Sequence, residues 1–144
     1  MNRLPVLFIQ LGLLFGQARI GEWQAYTAPL HINDITGFEQ QAVCGTNGGL
    51  LIYDQDEDTF NTLTVIDQLA GTRINVVEIG QDGYLWIGGV SPDGFVQVYD
   101  LKSKNSIAEF DFGLTEIIDI SITDSIGFVA FLENQDWGLM EFIY

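Results

Sequence analysis

The chain is short of basic residues: 5 Lys and Arg stand against 20 Asp and Glu in 144 residues, a formal net charge of −15. A chain this acidic repels nucleic acid and anionic membrane surfaces, so neither is expected as a partner. The same charge favours solubility and cationic or calcium-rich surroundings. Cysteine is reduced to Cys44, which excludes an internal disulfide even in an oxidising compartment. Histidine is reduced to His31, 13 positions away (44 − 31), with no Asn or Asp arrangement to complete a triad. A nucleophilic thiol needs an adjacent base, so Cys44 in "QAVCGT" reads instead as a buried, inert thiol in an apolar strand. A Ser/His/Asp set, a His/Cys cluster able to hold a metal and a phosphate-cradling glycine loop are also lacking. These absences predict a protein that is not an enzyme and binds no cofactor. Charged residues make up 17% and hydrophobic residues 47%, the balance of a globular chain with enough length for one domain and a real core.

Long apolar runs are lacking, with one exception at the start. "MNR" supplies a short positive segment and "LPVLFIQLGLLFG" an apolar stretch of 13 residues, too short to span a bilayer comfortably. Gly16 and Ala18 then sit at the −3 and −1 positions of a cleavage site. Residues 1–18 are read as a signal peptide, against the alternatives of an uncleaved anchor or a buried first strand. Nothing after Ala18 resembles a transmembrane helix. The mature chain is therefore expected in the periplasm or at the cell surface, without membrane insertion after signal removal.

Sustained helical periodicity is lacking too, and what replaces it is a repeat. Three segments start alike at Ile32, Ile74 and Ile117, 42 and 43 residues apart (74 − 32; 117 − 74). Their third strands end at Tyr53, Tyr99 and Phe142. Each unit runs strand, turn, strand, Gly-containing turn, strand: "QAVCGT", "YLWIGG" and "FVAFLE" are the second strands, "LLIYD", "FVQVYD" and "LMEFIY" the third. Asn47-Gly48, Asp82-Gly83 and Asp93-Gly94 are read as hairpin turns of type I′. Runs such as Tyr84-Leu85-Trp86-Ile87 are apolar on both faces, as strands sandwiched between neighbouring sheets can be. A period of about 40–45 residues built wholly of short strands is that of propeller blades.

The fold class is therefore all-β and β-propeller-like, with about three four-stranded antiparallel blades in an incomplete propeller over residues 19–144. The units fall at about 32–73, 74–116 and 117–144. Outer strands are expected in "FNTLTVID" (60–67) and "SIAEFDF" (106–112), while "EWQAYTA" (22–28) is an orphan outer strand ahead of the first blade. The third blade lacks its own, a gap that residues 22–28 could in principle fill. Propellers normally have 4–8 blades. Three are too few, which leaves a fragment of a longer propeller, a ring closed by several chains, or an open arc. The unpaired blade faces predict possible self-association.

The second unit, "DGYLWIGGVSPDGFVQVYD", resembles the two-component regulator propeller repeat through Asp82, Gly83, Leu85, Trp86, Ile87, Gly88, Gly94, Tyr99 and Asp100. Gly89 replaces the usual Thr, and Ser91-Pro92-Asp93 lengthens the turn. The first unit keeps Gly45-Thr46, Gly49, Tyr53 and Asp54 but has Val43-Cys44 where the Trp would fall; the third is degenerate. The resemblance implies an exported binding scaffold, the N-terminal part of a PorZ-like protein associated with type IX secretion, meeting a protein or glycan at the cell envelope. The alternative it implies is the periplasmic sensor region of a hybrid histidine kinase.

Asp54, Asp56 and Asp58 alternate as in calcium loops, but an EF-hand wants Gly and Glu where Thr59 and Val65 stand. A solvated turn is expected there, with these three only weak metal ligands. Trp86 is assigned to the core between blades and Trp137, placed beside a turn, to a weak ligand-binding role. Asp34 and Asp119 on the inner strands could line a channel mouth or simply be solvated at a sheet edge.

Overall fold

The computed structural model of the protein describes residues 31–90 and 92–143. The expected signal peptide and the 22–28 strand lie outside these residues. The first sheet is formed by β1 (Ile32–Phe38), β2 (Gln41–Thr46), β3 (Gly49–Asp54) and β4 (Thr59–Leu63). The second comprises β5 (Arg73–Ile79), β6 (Leu85–Val90), β7 (Gly94–Asp100) and β8 (Asn105–Leu114). The third holds β9 (Glu116–Ile122), β10 (Ile126–Glu133) and β11 (Asp136–Ile143). Within each sheet the strands pair in sequence order and antiparallel. The architecture is all-β and propeller-like: three blades side by side, the third with three strands among the described residues.

The repeat aligned on Ile32, Ile74 and Ile117 survives at the level of register. Ile32 opposes Thr46, Ile74 opposes Gly89 and Ile117 opposes Phe131, and in each case the ladder slips by one residue immediately afterwards. Such a bulge re-aims one side chain and leaves the ladder locally unmatched. The re-aimed residue is Asn33 in the first blade and Asn75 in the second. Asn33 Nδ2 donates to the Ile74 carbonyl at 2.7 Å, and Asn75 Nδ2 donates to the Ile117 carbonyl at 2.8 Å. One device, used twice, ties each blade to the leading Ile of the next.

Close approach accompanies it. A Cβ at Gly45 would lie 2.8 Å from Ile74 Cγ2, and one at Gly88 would lie 2.5 Å from Ile117 Cγ2. Both glycines occupy the same place in the second strand of their blade, opposite the bulge. The absence of a side chain is what lets the next sheet's isoleucine seat there.

Two cores result. Val43, Leu50, Ile52 and Leu63 of the first blade pack against Ile74, Val77, Leu85, Ile87 and Tyr99 of the second. On the second blade's other face, Val76, Trp86, Val96 and Val98 meet Ile117, Ile120 and Val129 of the third. The middle sheet is thus covered on both sides at β6 and β7, which is why β6 reads as apolar throughout. Among the described residues the outer blades each leave one face uncovered: Ile35 and Phe60 are 61% and 68% exposed on the first, Trp137, Leu139 and Ile143 are 72%, 70% and 79% exposed on the third.

Three sequence expectations are corrected. The first outer strand ends at Leu63 rather than running to residue 67. Thr64 and Asp67 cap a short 3-10 turn over Val65–Asp67: the Thr64 hydroxyl accepts from the Ile66 N–H and Asp67 Oδ2 from the Thr64 N–H at 2.9 Å. Asn47-Gly48 does join β2 to β3, but the positive φ falls on Gly49 (116°). The pair with left-handed φ at both positions, as type I′ requires, is Asn134-Gln135 (49° and 80°) between β10 and β11. That turn runs at once into β11, which starts at Asp136 rather than at the Leu139 of "LMEFIY", so Trp137 stands beside a turn but within the strand.

The segment between the first two blades is anchored by one buried amide. Gln97 is fully buried; its Nε2 donates to the Gln68 carbonyl (2.7 Å) and Ser106 Oγ (2.9 Å), and its Oε1 accepts from the Ala70 N–H (3.0 Å). Loss of one partner in such a set strands the others without water, at about 1–3 kcal/mol per group. Asn75→Ala and Gln97→Leu are each expected to lower unfolding free energy by about 1–3 kcal/mol. Gly88→Val is expected to match or exceed them through overpacking against Ile117. Urea denaturation followed by tryptophan fluorescence measures all three; unchanged midpoints would contradict the inter-blade role.

Candidate binding surface

Of the residues that resemble the propeller repeat, Trp86 and Tyr99 hold the blades together, and Asp82 and Asp100 close turns. Trp86 is 3% exposed and stacks on Phe142 across the blade boundary, with ring centroids 5.0 Å apart. Its expected place in the inter-blade core is observed. Tyr99 is fully buried, and its hydroxyl donates to the Asp67 carbonyl at 2.7 Å. Asp82 Oδ1 accepts from the Tyr84 N–H, and Asp100 Oδ1 from the Lys102 N–H. Cys44 is 5% exposed, and burial, helped by the Asp34 charge, pushes its thiol pKa up. A thiol held protonated is a poor nucleophile, in line with the inert role expected.

Two of the three aspartates weighed as calcium ligands, Asp54 and Asp58, are engaged in their own turn, while Asp56 contributes its backbone N–H. Asp54 Oδ1 accepts from the Asp56 and Glu57 N–H groups, and Oδ2 accepts from Gln41 Nε2 at 2.9 Å. These bonds, the Gln41 one first, hold the Asp54 carboxyl below its ordinary range. Asp58 Oδ1 accepts from the Tyr53 hydroxyl. Asp100, in the matching turn of the second blade, is lowered in the same way by Ser103 and by the Lys102 N–H. Among the described residues no three His, Cys, Asp or Glu side chains group closely enough to share a metal ion.

Asp34 is a structural acceptor rather than a channel-mouth group: its Oδ2 takes the Val77 N–H of the next blade at 2.9 Å. Asp119 holds the matching register position and caps its own Ile120 N–H. Between them, Glu78 is pushed up, first by burial and then by the Asp34 and Asp119 charges.

A wider feature was not read from the sequence. The turns that join first to second and third to fourth strands all emerge at one end of the blades. Lys102 and Glu39 pair there at 2.7 Å between the first two blades, and Gln81 donates to Asp124 between the second and third. Exposed Glu39, Asp56, Glu57, Asp58, Asp82 and Asp124 make this rim strongly anionic, against Lys102 and Lys104. The signal was present in the repeat, because acids recur at turn positions one period apart. Fixed turns rimmed by carboxylates are suited to holding a cationic surface.

No family model matches the chain, and no curated protein matches it in sequence. Among solved structures it is similar to a propeller-type chain in the crystal structure of a mitotic checkpoint complex, with a TM-score of 0.50 and 15% identity. The likeness concerns the fold. It covers 76% of this chain but only 38% of the solved one, so the protein spans well under half the length of the chain it matches.

Trp137, the weak ligand candidate, lies apart from the rim. It stands on the outward face of the third blade beside Leu132 and near Leu139, in an apolar strip.

Burial first, and then the Asp67 and Asp100 charges, push Tyr99 up to about 12. The folded state therefore favours the neutral phenol. Its stabilising contribution is complete below the ordinary value of 10 and is lost as pH rises toward about 12. Thermal melts from pH 8 to pH 12 are expected to fall above pH 10, and Tyr99→Phe is expected to flatten that fall while lowering stability at pH 8. An unchanged alkaline profile would contradict the assignment.

Proposed function

We propose that the protein is a non-enzymatic, exported binding scaffold of the cell envelope, the N-terminal part of a PorZ-like, type IX secretion-associated protein. The observation that carries it is the division of labour just described. Every residue through which the second unit resembles the propeller repeat and whose contacts are described above is engaged in blade packing or turn closure. Recognition is then left to the turns. Their anionic rim favours basic groups, so the partner is a protein or glycan at the envelope that presents positive charge. Binding of that kind weakens as salt screens the rim over a Debye length of about 8 Å at physiological ionic strength.

The coarse statement, a propeller-like scaffold, rests on the fold; export and the secretion role rest on the N-terminal segment and on the resemblance. Cell fractionation with N-terminal sequencing tests them. The expected product starts at Arg19, after cleavage behind Ala18, and is found outside the inner membrane. A cytoplasmic protein retaining Met1 would refute export. Genomic sequence beyond codon 144 separates the roles: a C-terminal sorting domain supports the secretion reading, whereas a membrane helix followed by a kinase module supports the sensor.

A further inference from the structure

The middle blade is the one whose neighbours on both sides are described, and its inner strand carries a carboxylate where both of them crowd it. β5 has β6 on one side only, so N–H groups on its other edge need acceptors from outside the sheet. For Val77, which is 1% exposed, the acceptor comes from the first blade. Asp34 Oδ2 takes the Val77 N–H at 2.9 Å while Asp34 Oδ1 takes the Ile35 N–H at 2.9 Å. The carboxylate that fastens the two blades is thereby bound one residue from Glu78.

Glu78 is poorly placed for a charge. It is half-buried, and burial first, then Asp34 of β1 and Asp119 of β9, hold its carboxyl above the ordinary value of 4.5. The other elements packed on β5 offer it no relief. β6 carries no titratable side chain, and β2 offers only the Cys44 thiol, itself kept protonated. Tyr53 and Asp54 of β3 are bonded within their own blade, to Asp58 and Gln41. Glu116 of β9 is taken by Arg73 at 3.3 Å and by Asn75 at 2.8 Å. Of the remaining cations in the described chain, Lys102 pairs with Glu39 at 2.7 Å and Lys104 lies in the turn from β7 to β8.

We propose that Glu78 is an acid-operated latch on the seam between the first two blades. Ionised, it repels the Asp34 carboxylate and weakens its hold on the Val77 N–H. Protonated, it lets that bond close. The stability this adds is complete below 4.5 and is lost as pH rises through the folded value of Glu78. The rim turns of the first two blades ride on the same seam, so acid holds them more firmly. The third blade has no equivalent, because Ser121 stands at the matching position and Asp119 caps the Ile120 N–H of its own strand.

The test uses the full chain with His31→Gln as background, so that no imidazole titrates in the window. Hydrogen exchange by NMR reads the protection of the Val77 N–H at about pH 5 and about pH 7.5, with intrinsic base catalysis divided out. Protection is expected to be several-fold higher at the lower pH. Glu78→Gln is expected to show the higher protection at both. Asp119→Asn keeps the Asp34 bond but removes one opposing charge, so the Glu78 carboxyl is expected to titrate at lower pH and the change at Val77 to shrink. Protection of Val77 that is independent of pH would overturn the proposal. So would a rise that Glu78→Gln retains and that the Ile87 and Val129 amides share, which would assign the effect to net charge. An Asp119→Asn chain in which Glu78 titrates unchanged would overturn it as well.

Discussion

Placing one antiparallel sheet beside another is underdetermined by hydrophobicity, which is non-directional. The Asn-to-carbonyl bonds at Asn33 and Asn75 remove that freedom, because each fixes the start of one inner strand against the start of the next to within a hydrogen-bond length. The bulge both aims the amide and breaks the ladder beside the leading isoleucine. The glycine across the ladder then admits the isoleucine that the bond has positioned. Removing any one of the three leaves the other two without a purpose. Asp34 adds a further tie, to Val77, only between the first two blades, and the Gln97 amide with the Tyr99 hydroxyl fastens the connecting segment over the same boundary. Polar contacts are few here, but they set where the apolar surfaces meet.

Much of this was legible in the sequence. The spacing of Ile32, Ile74 and Ile117 located the blades because the spacing of repeated units is visible without any knowledge of contacts. Trp86 was assignable to the interior because a large aromatic in a strand flanked by Leu85 and Ile87 has no solvated side to face. Cys44 could be assigned on the same ground. The role of Asn33 and Asn75 was not legible, since an Asn in a strand can equally mark a turn and only a bulge tells which. The end of β4 was missed because Val65 and Ile66 prolong the strand-like run and mask the capping-box spacing of Thr64 and Asp67. The third strand of the third blade was started too late, at Leu139, because Asn134-Gln135 is a weaker turn signal than the glycine at 138. A left-handed backbone is tolerated by Asn but not announced by it.

The acidic rim escaped notice for a different reason. Glu39, Asp82 and Asp124 are far apart in sequence, and only the meander of each sheet brings their turns to one end. Asp54, Asp56 and Asp58 drew attention by adjacency, yet Asp54 is occupied by turn amides and Asp58 by the Tyr53 hydroxyl. Proximity in sequence was the poorer guide to shared chemistry than phase within the repeat.

Charge on this scaffold also divides by position in a way that bears on acid stability. Asp54 and Asp100 are held below their ordinary range by hydrogen bonds to their own turns, so the stability they contribute is present above the unfolded carboxylate value and is lost as pH falls through the folded one. Glu78, raised by burial and by Asp34 and Asp119, has the opposite sign: its contribution is present when it is protonated and is lost as pH rises through its folded value. Moderate acid therefore relieves the strain between the inner strands before it dissolves the turns. The inner edge of the blades and their rim respond to protons in opposite senses because one crowds half-buried Glu78 against two other carboxylates, while the other supplies its carboxylates with donors.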